Sequence, residues 1–427
     1  MGQLDSQTAH ADLRGVDHNA APFCAPDVAV RAAAWKELRE RCPVGRSDQY
    51  DGYWILSDHA SVAEACRNGE IFSNRYEPDA DDGINYIGEN GYPRMDWPEL
   101  AIGEAYGEHH SYLRRVFNPL FSPTAVRRFE PAMRQVASWV LDQRVEDGAM
   151  DLMNDFVTPV TAISTLLFLG LPADLWQDTA DVYHSIFGMA PDTAEFTHTV
   201  EITMPRLMDA FLSAAKAARH DRAEELLGAI ARLEYDGELM NDEQLTKVLT
   251  NMVGAGVDTT NNTTARGLHQ LAADPALRAA VMADRRLIDA TCEETLRMYP
   301  SAQVMTCTIT QDVEFAGQQL RRGEPAVLSL SGANRDPKVF ADPDVFHVER
   351  TSNRHLAFGR GVHRCLGAHV ARQMFRVMVA EILDRVPDYV VDDAKVVEYG
   401  GNPYLMGVWS MPVTFTAAPQ LGVKRPW

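Results

Sequence analysis

What the sequence of 427 residues is short of narrows it first. Positive charge is scarce: 40 Lys and Arg stand against 60 Asp and Glu, a formal charge of −20. That balance excludes a general binder of nucleic acid or of an anionic membrane surface. No two of the six cysteines (Cys24, Cys42, Cys66, Cys292, Cys307, Cys365) are spaced as a CxxC pair. A disulfide framework or structural zinc site is therefore not expected, and the chain reads as a protein of a reducing compartment, the cytoplasm. Met1 to Phe23 holds no apolar run, so no signal peptide or membrane anchor is expected; Met1-Gly2 with Ser6 matches only the short myristoylation pattern. The longest apolar stretch, Phe156 to Leu171, carries Pro159, Thr161 and Ser164 and is shorter than the ~20 residues of a bilayer span. Internal repeats, low-complexity segments and Gly/Ser linkers are lacking too. With 46% apolar and 23% charged residues, the composition is globular, read as a flexible segment 1–24 and a single domain 25–427.

What is present is mostly helical. Ala29 to Arg41, Pro123 to Arg144, Asp155 to Leu169, Met204 to Lys216 and Arg222 to Leu233 space apolar residues by three and four. Short strand-like pieces lie at Tyr53 to Leu56, Val313 to Leu320, Pro325 to Leu330 and Val413 to Phe415. The mixture predicts a mainly α domain of the α+β kind with small β-sheets. Arg75 to Glu108 stands apart, with nine acids and five large aromatics. It reads as a solvated loop or, given its length, a lid.

The best-defined helix begins at Asn241, with Gln244 three residues on as in a capping box, and runs to about Ala273 before Pro275. At ~1.5 Å per residue it is roughly 45 Å long and must cross the core. Its centre, Gly254-Ala255-Gly256-Val257-Asp258-Thr259-Thr260, breaks the pattern of a buried helix. Each Gly costs about 1 kcal/mol relative to Ala, and an unpaired buried Asp would cost more. Two readings stand: a kink or close helix crossing, or glycines that let something large approach while Asp258 and Thr259 face it as proton-handling groups.

Near the C-terminus, Phe358-Gly359-Arg360-Gly361-Val362-His363-Arg364-Cys365-Leu366-Gly367 precedes a helix expected from Ala368 to Val386. The glycines make a bent loop that delivers a thiol close to a helix N-terminus. With Arg360, His363 and Arg364 nearby, that position favours the thiolate, the form a metal requires.

This segment resembles the haem-binding loop FxxGxxxCxG of the cytochrome P-450 family, whose haem iron is held by a cysteine thiolate. The resemblance covers about residues 25 to 418 and implies a single cytochrome P-450 fold, with the long central helix lying over haem b. It implies Cys365 as axial ligand, Phe358 beside its sulfur, and Gly359, Gly361 and Gly367 freeing backbone amides to hydrogen-bond it. His363 is then expected on a haem propionate, together with His110 and Arg114, which match the family's HxxxR and share one helix face. Glu294 and Arg297 match ExxR, and Arg350 resembles the third member of that buried ion network. Gly254 to Thr260 is similar to the oxygen-activating helix motif, with Asp258 and Thr259 as the proton-delivery pair. Two departures are visible. Tyr106-Gly107-Glu108 stands where similar bacterial members have Asp-Pro-Pro, and the usual propionate arginine falls on Cys307, where a neutral thiol cannot replace a forked cation.

The implied activity is that of a monooxygenase using O₂ and two electrons. Its rivals are oxidative coupling of two substrate atoms, peroxide-driven oxidation and non-catalytic haem sensing. Nothing in the sequence looks like a reductase, so a separate ferredoxin-type donor is expected. His110 to Arg134 has five arginines and one acid, and Arg354 to Arg376 has five arginines and none, a basic thiolate-side surface suited to an acidic partner. By the same resemblance a hydrophobic or aromatic small molecule would meet the Tyr76 to Tyr106 stretch (Tyr86, Ile87), the segment near Phe187 to Phe196, Met252, Val253, Ala255, Gln303, Val304, Met305 and Leu405. No nucleic acid, no membrane and a monomeric state complete the expectation.

Overall fold

Asn241 starts the helix that organises the molecule. The computed structural model describes residues 13–74, 101–103, 105–188, 193–221 and 225–427. In it the central helix runs Asp242–Ala273, 32 residues, and both halves of the capping box form: the Gln244 amide donates to Asn241 Oδ1 at 2.9 Å and the Asn241 amide to Gln244 Oε1 at 2.9 Å. Against it pack the helices Thr158–Leu169, Met204–His220, Leu287–Met298 and Ala368–Arg385. Leu245, Leu249, Val253, Val257, Leu268 and Leu271 are buried along its length, so the driving force is apolar burial on several sides.

The strands form small sheets to one side. The largest has five strands in the order Val44–Ser47, Tyr53–Leu56, Pro325–Ser329, Val304–Ile309, Phe72–Ser73. Pro325–Ser329 runs parallel to Tyr53–Leu56 and antiparallel to Val304–Ile309, with Ala326 opposite Cys307. The piece expected at Val313 to Leu320 is a hairpin, Val313–Phe315 with Gln318–Leu320, turning at Ala316 and Gly317, both at positive φ. Periodicity had hidden that turn, because Ala316 gives no turn signal.

Other boundaries shift for local reasons. The apolar helix begins as a π-helical turn, Leu152–Val157, before Thr158–Leu169, capped by Asp151, which accepts from the Met153 and Asn154 amides. It is apolar enough to cross a membrane, but most of it is buried inside the protein. The helix expected over Arg222 to Leu233 is Leu226–Ala231, with 222–224 outside the described residues. From Leu13 on, the segment expected to be flexible packs against the sheet: Leu13 and His18 are buried, and His18 Nδ1 meets the Tyr53 hydroxyl at 2.9 Å.

Gly254 and Gly256, two of the three glycines of the central helix, serve close packing. A Cβ on Gly254 would lie 2.5 Å from Tyr183 Cε1, and one on Gly256 would lie 3.0 Å from the Thr165 methyl. Tyr183 is buried and donates to the Thr250 carbonyl at 2.8 Å, so its ring cannot move aside freely. The crossing reading therefore accounts for Gly254. Gly254→Ala is expected to lower the unfolding free energy by about 1–3 kcal/mol despite the ~1 kcal/mol gain in helix propensity. Gly256→Ala, meeting the methyl and hydroxyl of Thr165 at 3.0 and 3.3 Å, is expected to change it by less than about 1 kcal/mol; chemical denaturation of both variants checks the contrast.

Candidate active site

Leu287–Met298 places Glu294 and Arg297 on its buried face, both side chains fully shielded from water. Arg297 donates to both Glu294 oxygens at 2.8 Å, Arg350 Nε to Oε1 at 2.9 Å, the His347 amide to Oε1 at 2.8 Å and Asn353 Nδ2 to Oε2 at 3.0 Å. Arg297 also donates to the carbonyls of Asn334, Pro343 and Val345. Burial pushes the Glu294 carboxyl up, but the hydrogen bonds from Arg297 and Arg350 outweigh it and hold the group below its ordinary range. The expected trio thus comes together. His347 and Asn353, which spacing alone did not reveal, complete it.

A second network, absent from the sequence reading, lies one residue away. Arg372 grips Glu293 through both oxygens at 2.6 and 2.8 Å, His355 Nε2 lies 3.1 Å from Oε2, and the Arg372 guanidinium sits 4.5 Å over the Phe358 ring. Burial raises the Glu293 carboxyl, and Arg372 and His355 reverse that, bringing it down to about 2. The signal was the adjacent acid pair Glu293-Glu294: on a helix, neighbours face different partners.

Between these anchors the cysteine loop turns. The Cys365 amide donates to the Phe358 carbonyl at 2.9 Å, and Gly359 and Gly361 take positive φ. A Cβ on Gly361 would lie 2.4 Å from the Cys66 carbonyl oxygen, so no other residue fits there. Cys365 opens onto a cavity, alone among the six cysteines in being exposed. Protein surrounds it beyond that opening, and burial pushes its thiol up, against the pull of the Gly367 amide and then of Arg114, Arg364 and Arg372. The expectation that a place close to a helix N-terminus, with Arg360, His363 and Arg364 nearby, favours the thiolate is corrected: desolvation is the larger effect here.

The cavity, about 280 Å³, is walled by the Phe358–Gly367 loop on one side and the central helix on the other. Met252, Ala255, Gly256 and Thr259 come from that helix, Phe121, Phe168 and Leu169 from its neighbours, and Arg114 and His363 lie at the polar end. The Thr259 hydroxyl donates to the Ala255 carbonyl at 3.0 Å, leaving its lone pairs toward the cavity. His363 is boxed by the rings of His110 (4.5 Å) and Tyr106 (4.7 Å), and both its nitrogens are buried without a well-formed hydrogen bond, the Ile102 backbone being a weak contact only. Burial, then His110 and Arg114, lower its pKa to about 4, while the Ile102 backbone pulls weakly the other way. Arg114 Nε donates to His110 Nε2 at 3.3 Å and Nη2 to the Arg364 carbonyl at 2.7 Å.

Several expected residues are elsewhere. Asp258 does not line the cavity: successive helical residues diverge by ~100°, and Asp258 is buried on an adjoining face against Tyr399, His184 and Asn262. Val253 and Val304 belong to apolar core clusters, because their helix and strand faces point inward. Gln303, Met305 and Leu405 do not line this cavity; Gln303 Nε2 instead reaches the Pro403 and Leu405 carbonyls. Tyr86 and Ile87 lie outside the described residues, as do 189–192. Cys307 is buried in its strand beside the Ala326 carbonyl.

With this geometry in hand, the likeness to known proteins becomes decisive. The chain is 30% identical over 406 residues to the steroid C26-monooxygenase of Mycolicibacterium smegmatis, covering 91% of this chain and 94% of that protein. The sequence profile of the cytochrome P-450 family matches residues 207–386. This chain belongs to the cytochrome P-450 family. Pulcherriminic acid synthase of Bacillus subtilis is 26% identical over 402 residues, covering 90% of this chain and 95% of that protein. Among solved structures, CalO2 superposes with a TM-score of 0.79 at 25% identity, covering 94% and 99% of the two chains. A mutant of EryK in complex with erythromycin B gives 0.78 at 26%, covering 92% and 98%.

As a cytochrome P-450 the protein is an oxidoreductase of the monooxygenase class, mainly α with small sheets, and its family implies a haem-thiolate centre. The residues present fit that group. A sulfur opens onto an apolar cavity, and at the polar end a buried imidazole with two orphaned nitrogens stands beside Arg114, a donor cluster that lacks only an anion such as a propionate.

The Glu293 network sets a pH dependence. Its carboxyl falls from 4.5 to about 2 on folding, so it contributes stability that is fully present above the unfolded value and lost as pH falls through the folded one. The gap in unfolding free energy between wild type and Glu293→Gln is expected to be constant above about pH 5.5 and to narrow toward about pH 2. Acid titration of both by circular dichroism checks this.

Proposed function

We propose that this cytochrome P-450 binds haem b through Cys365 and oxidises a hydrophobic small molecule, with electrons from a separate acidic ferredoxin. One observation carries the reading: a cysteine sulfur and a central-helix hydroxyl line the same apolar cavity, with Arg114 and the imidazole of His363 at its polar end. When bound, the haem supplies O₂ activation, with electron release from the thiolate favouring O–O cleavage.

The chain's own residues do the rest. Cys365 would hold the haem iron as its thiolate, the form that the Gly367 amide favours. Phe358, pinned under Arg372, covers the sulfur side of the cavity and keeps water away from it. Gly359 and Gly361 let the loop close. His110, Arg114 and His363 would hold the haem carboxylates. Glu294, with Arg297 and Arg350, ties down the segment that leads into the loop. Thr259 holds a proton at Oγ1 on the cavity wall, resting on the Ala255 carbonyl, while Asp258 is held on another face of the helix by Tyr399, His184 and Asn262. Met252 and Ala255 form the substrate-facing wall. The steroid substrate named for one relative and the erythromycin B bound to a structural neighbour support a bulky apolar substrate rather than any particular one.

The donor surface rests on charge. Arg115, Arg127, Arg128, Arg354, Arg360 and Arg364 are exposed and have no acidic partner among the described residues. Arg115, Arg364 and His369 line an open crevice on the outer side of Cys365. In a chain of −20, this concentrates positive potential where electrons would enter. The five buried cysteines, free thiols all, suit the cytoplasm.

Reduced protein under carbon monoxide is expected to show the strongly red-shifted Soret band of thiolate-bound haem, and Cys365→Ala to lose it; a histidine-type band in the wild type would sink the reading. Thr259→Ala is expected to keep the band and divert most donor electrons to free hydrogen peroxide. Fully coupled product formation in Thr259→Ala would remove its proton role. Reduction by an acidic ferredoxin is expected to slow as salt rises, and Arg364→Glu to slow it about tenfold at low salt; stopped-flow reduction measures both.

A further inference from the structure

The side of the central helix that faces the cavity is marked by Asn251, Met252, Ala255, Gly256, Thr259 and Thr260, spacings of one and three that keep to one helix face. Asn251 breaks the apolar run of Val248, Leu249, Met252 and Val253 around it. A side-chain amide carries two N–H donors and an acceptor oxygen, and leaving them unmet in an apolar wall is costly.

The other polar side chains of this helix show how such a cost is avoided. The hydroxyls of Thr246, Thr250, Thr259 and Thr263 each donate to the carbonyl four residues back. Of the helix's three asparagines, Asn261 donates to Thr158 Oγ1 at 3.2 Å and Asn262 to Asp258 Oδ2 at 3.0 Å. The third, Asn251, is half-buried on the cavity wall, and its amide makes no hydrogen bond among the described residues. A second unmet group lies on the same cavity: Thr165 is only 5% exposed, and its Oγ1 is buried without a partner against Gly256. Both groups are uncharged. A neutral amide cannot balance a carboxylate or ammonium taken out of water, and Phe121, Phe168 and Leu169 make the surrounding wall apolar. The complement of Asn251 is therefore a neutral acceptor. A carbonyl oxygen brings lone pairs alone, which an N–H satisfies outright, whereas a hydroxyl brings a proton that must be placed as well.

We propose that Asn251 anchors the substrate by donating from Nδ2 to a carbonyl oxygen, which makes the substrate class a neutral apolar molecule bearing a carbonyl group. This rests on the reading that the haem-loaded protein receives its substrate against Met252 and Ala255. Asn251 stands four residues before Ala255 and eight before Thr259, roughly 6 and 12 Å along the helix axis. The carbonyl and the carbon presented beside Thr259 thus belong to opposite ends of the substrate.

The test uses the haem-loaded full chain, with the shift of the ferric Soret band reporting occupancy. The probes are two matched series that differ only at one oxygen: tetralone, tetralol and tetralin, and androstanone, androstanol and androstane. In at least one series the wild type is expected to bind the ketone about fivefold or more tighter than the hydrocarbon, with the alcohol between them. Asn251→Leu is expected to abolish that preference by weakening the ketone and not the hydrocarbon. Asn251→Asp keeps the shape but has no N–H to give, and is expected to lose the preference too. Haem content and the carbon-monoxide band of both variants, expected at wild-type values, report intact folding. A second readout does not depend on affinity: the infrared carbonyl stretch of the bound ketone is expected at lower frequency in the wild type and in Thr165→Val than in Asn251→Leu. Equal affinities within both series, a preference that survives in Asn251→Leu, or a stretch that moves in Thr165→Val instead would overturn the proposal and leave the substrate cavity standing. A haem-loaded protein whose Soret band answers to no probe of either series would overturn both.

Discussion

A carboxylate sealed from water survives only if every lone pair is met, and the Glu294 carboxylate is met by five hydrogen bonds. Desolvating one such ion without partners costs several kcal/mol. Because Arg350, Asn353 and the His347 amide all converge on Glu294, the irregular chain from Ala341 to Asn353 has little freedom. That chain leads directly into the cysteine loop. The geometry of the sulfur is therefore set by a charge network that never touches the cavity. Glu293 extends the same logic: Arg372, held by it, lies over Phe358 at the loop's start.

The central helix divides its labour by face. One side presents Met252, Ala255, Gly256 and Thr259 to the cavity. The other buries Asp258 and Asn262, which join the helix to the C-terminal strand Val408–Ser410 and to Tyr399. Gly254 allows Tyr183 to press against the backbone, which brings the helix that carries His184 into hydrogen-bond range of Asp258. Packing and chemistry are coupled through that crossing: widening it would move His184 away from the carboxylate.

Features written in neighbouring residues were legible in the sequence. Asn241 and Gln244 mark the helix start because capping is local, and Glu294 with Arg297 is legible because three-residue spacing puts them on one face. The cysteine loop was legible because its glycines are required by positive φ and close approach. Direction was harder. Asp258 beside Thr259 looked like one site, yet helical rotation of ~100° sends them to different faces; Asn262, four residues on, was the local signal for the second face. His184 and Tyr399 could not be placed, since 74 and 141 residues separate them from Asp258. Val253 and Val304 were misassigned for the same reason: apolar residues fit a core as well as a cavity wall.

The distribution of thiols has a practical side. Five of six cysteines are buried, and burial raises the Cys66 thiol to about 11 and pushes those of Cys292 and Cys307 up as well. Alkylating reagents act on exposed thiolates, so in the native protein only the sulfur that opens onto the cavity is within their reach. Haem bound there would shield it. The number of sulfurs that react before denaturation, zero or one per chain, thus becomes a direct count of how many molecules in a preparation carry their prosthetic group.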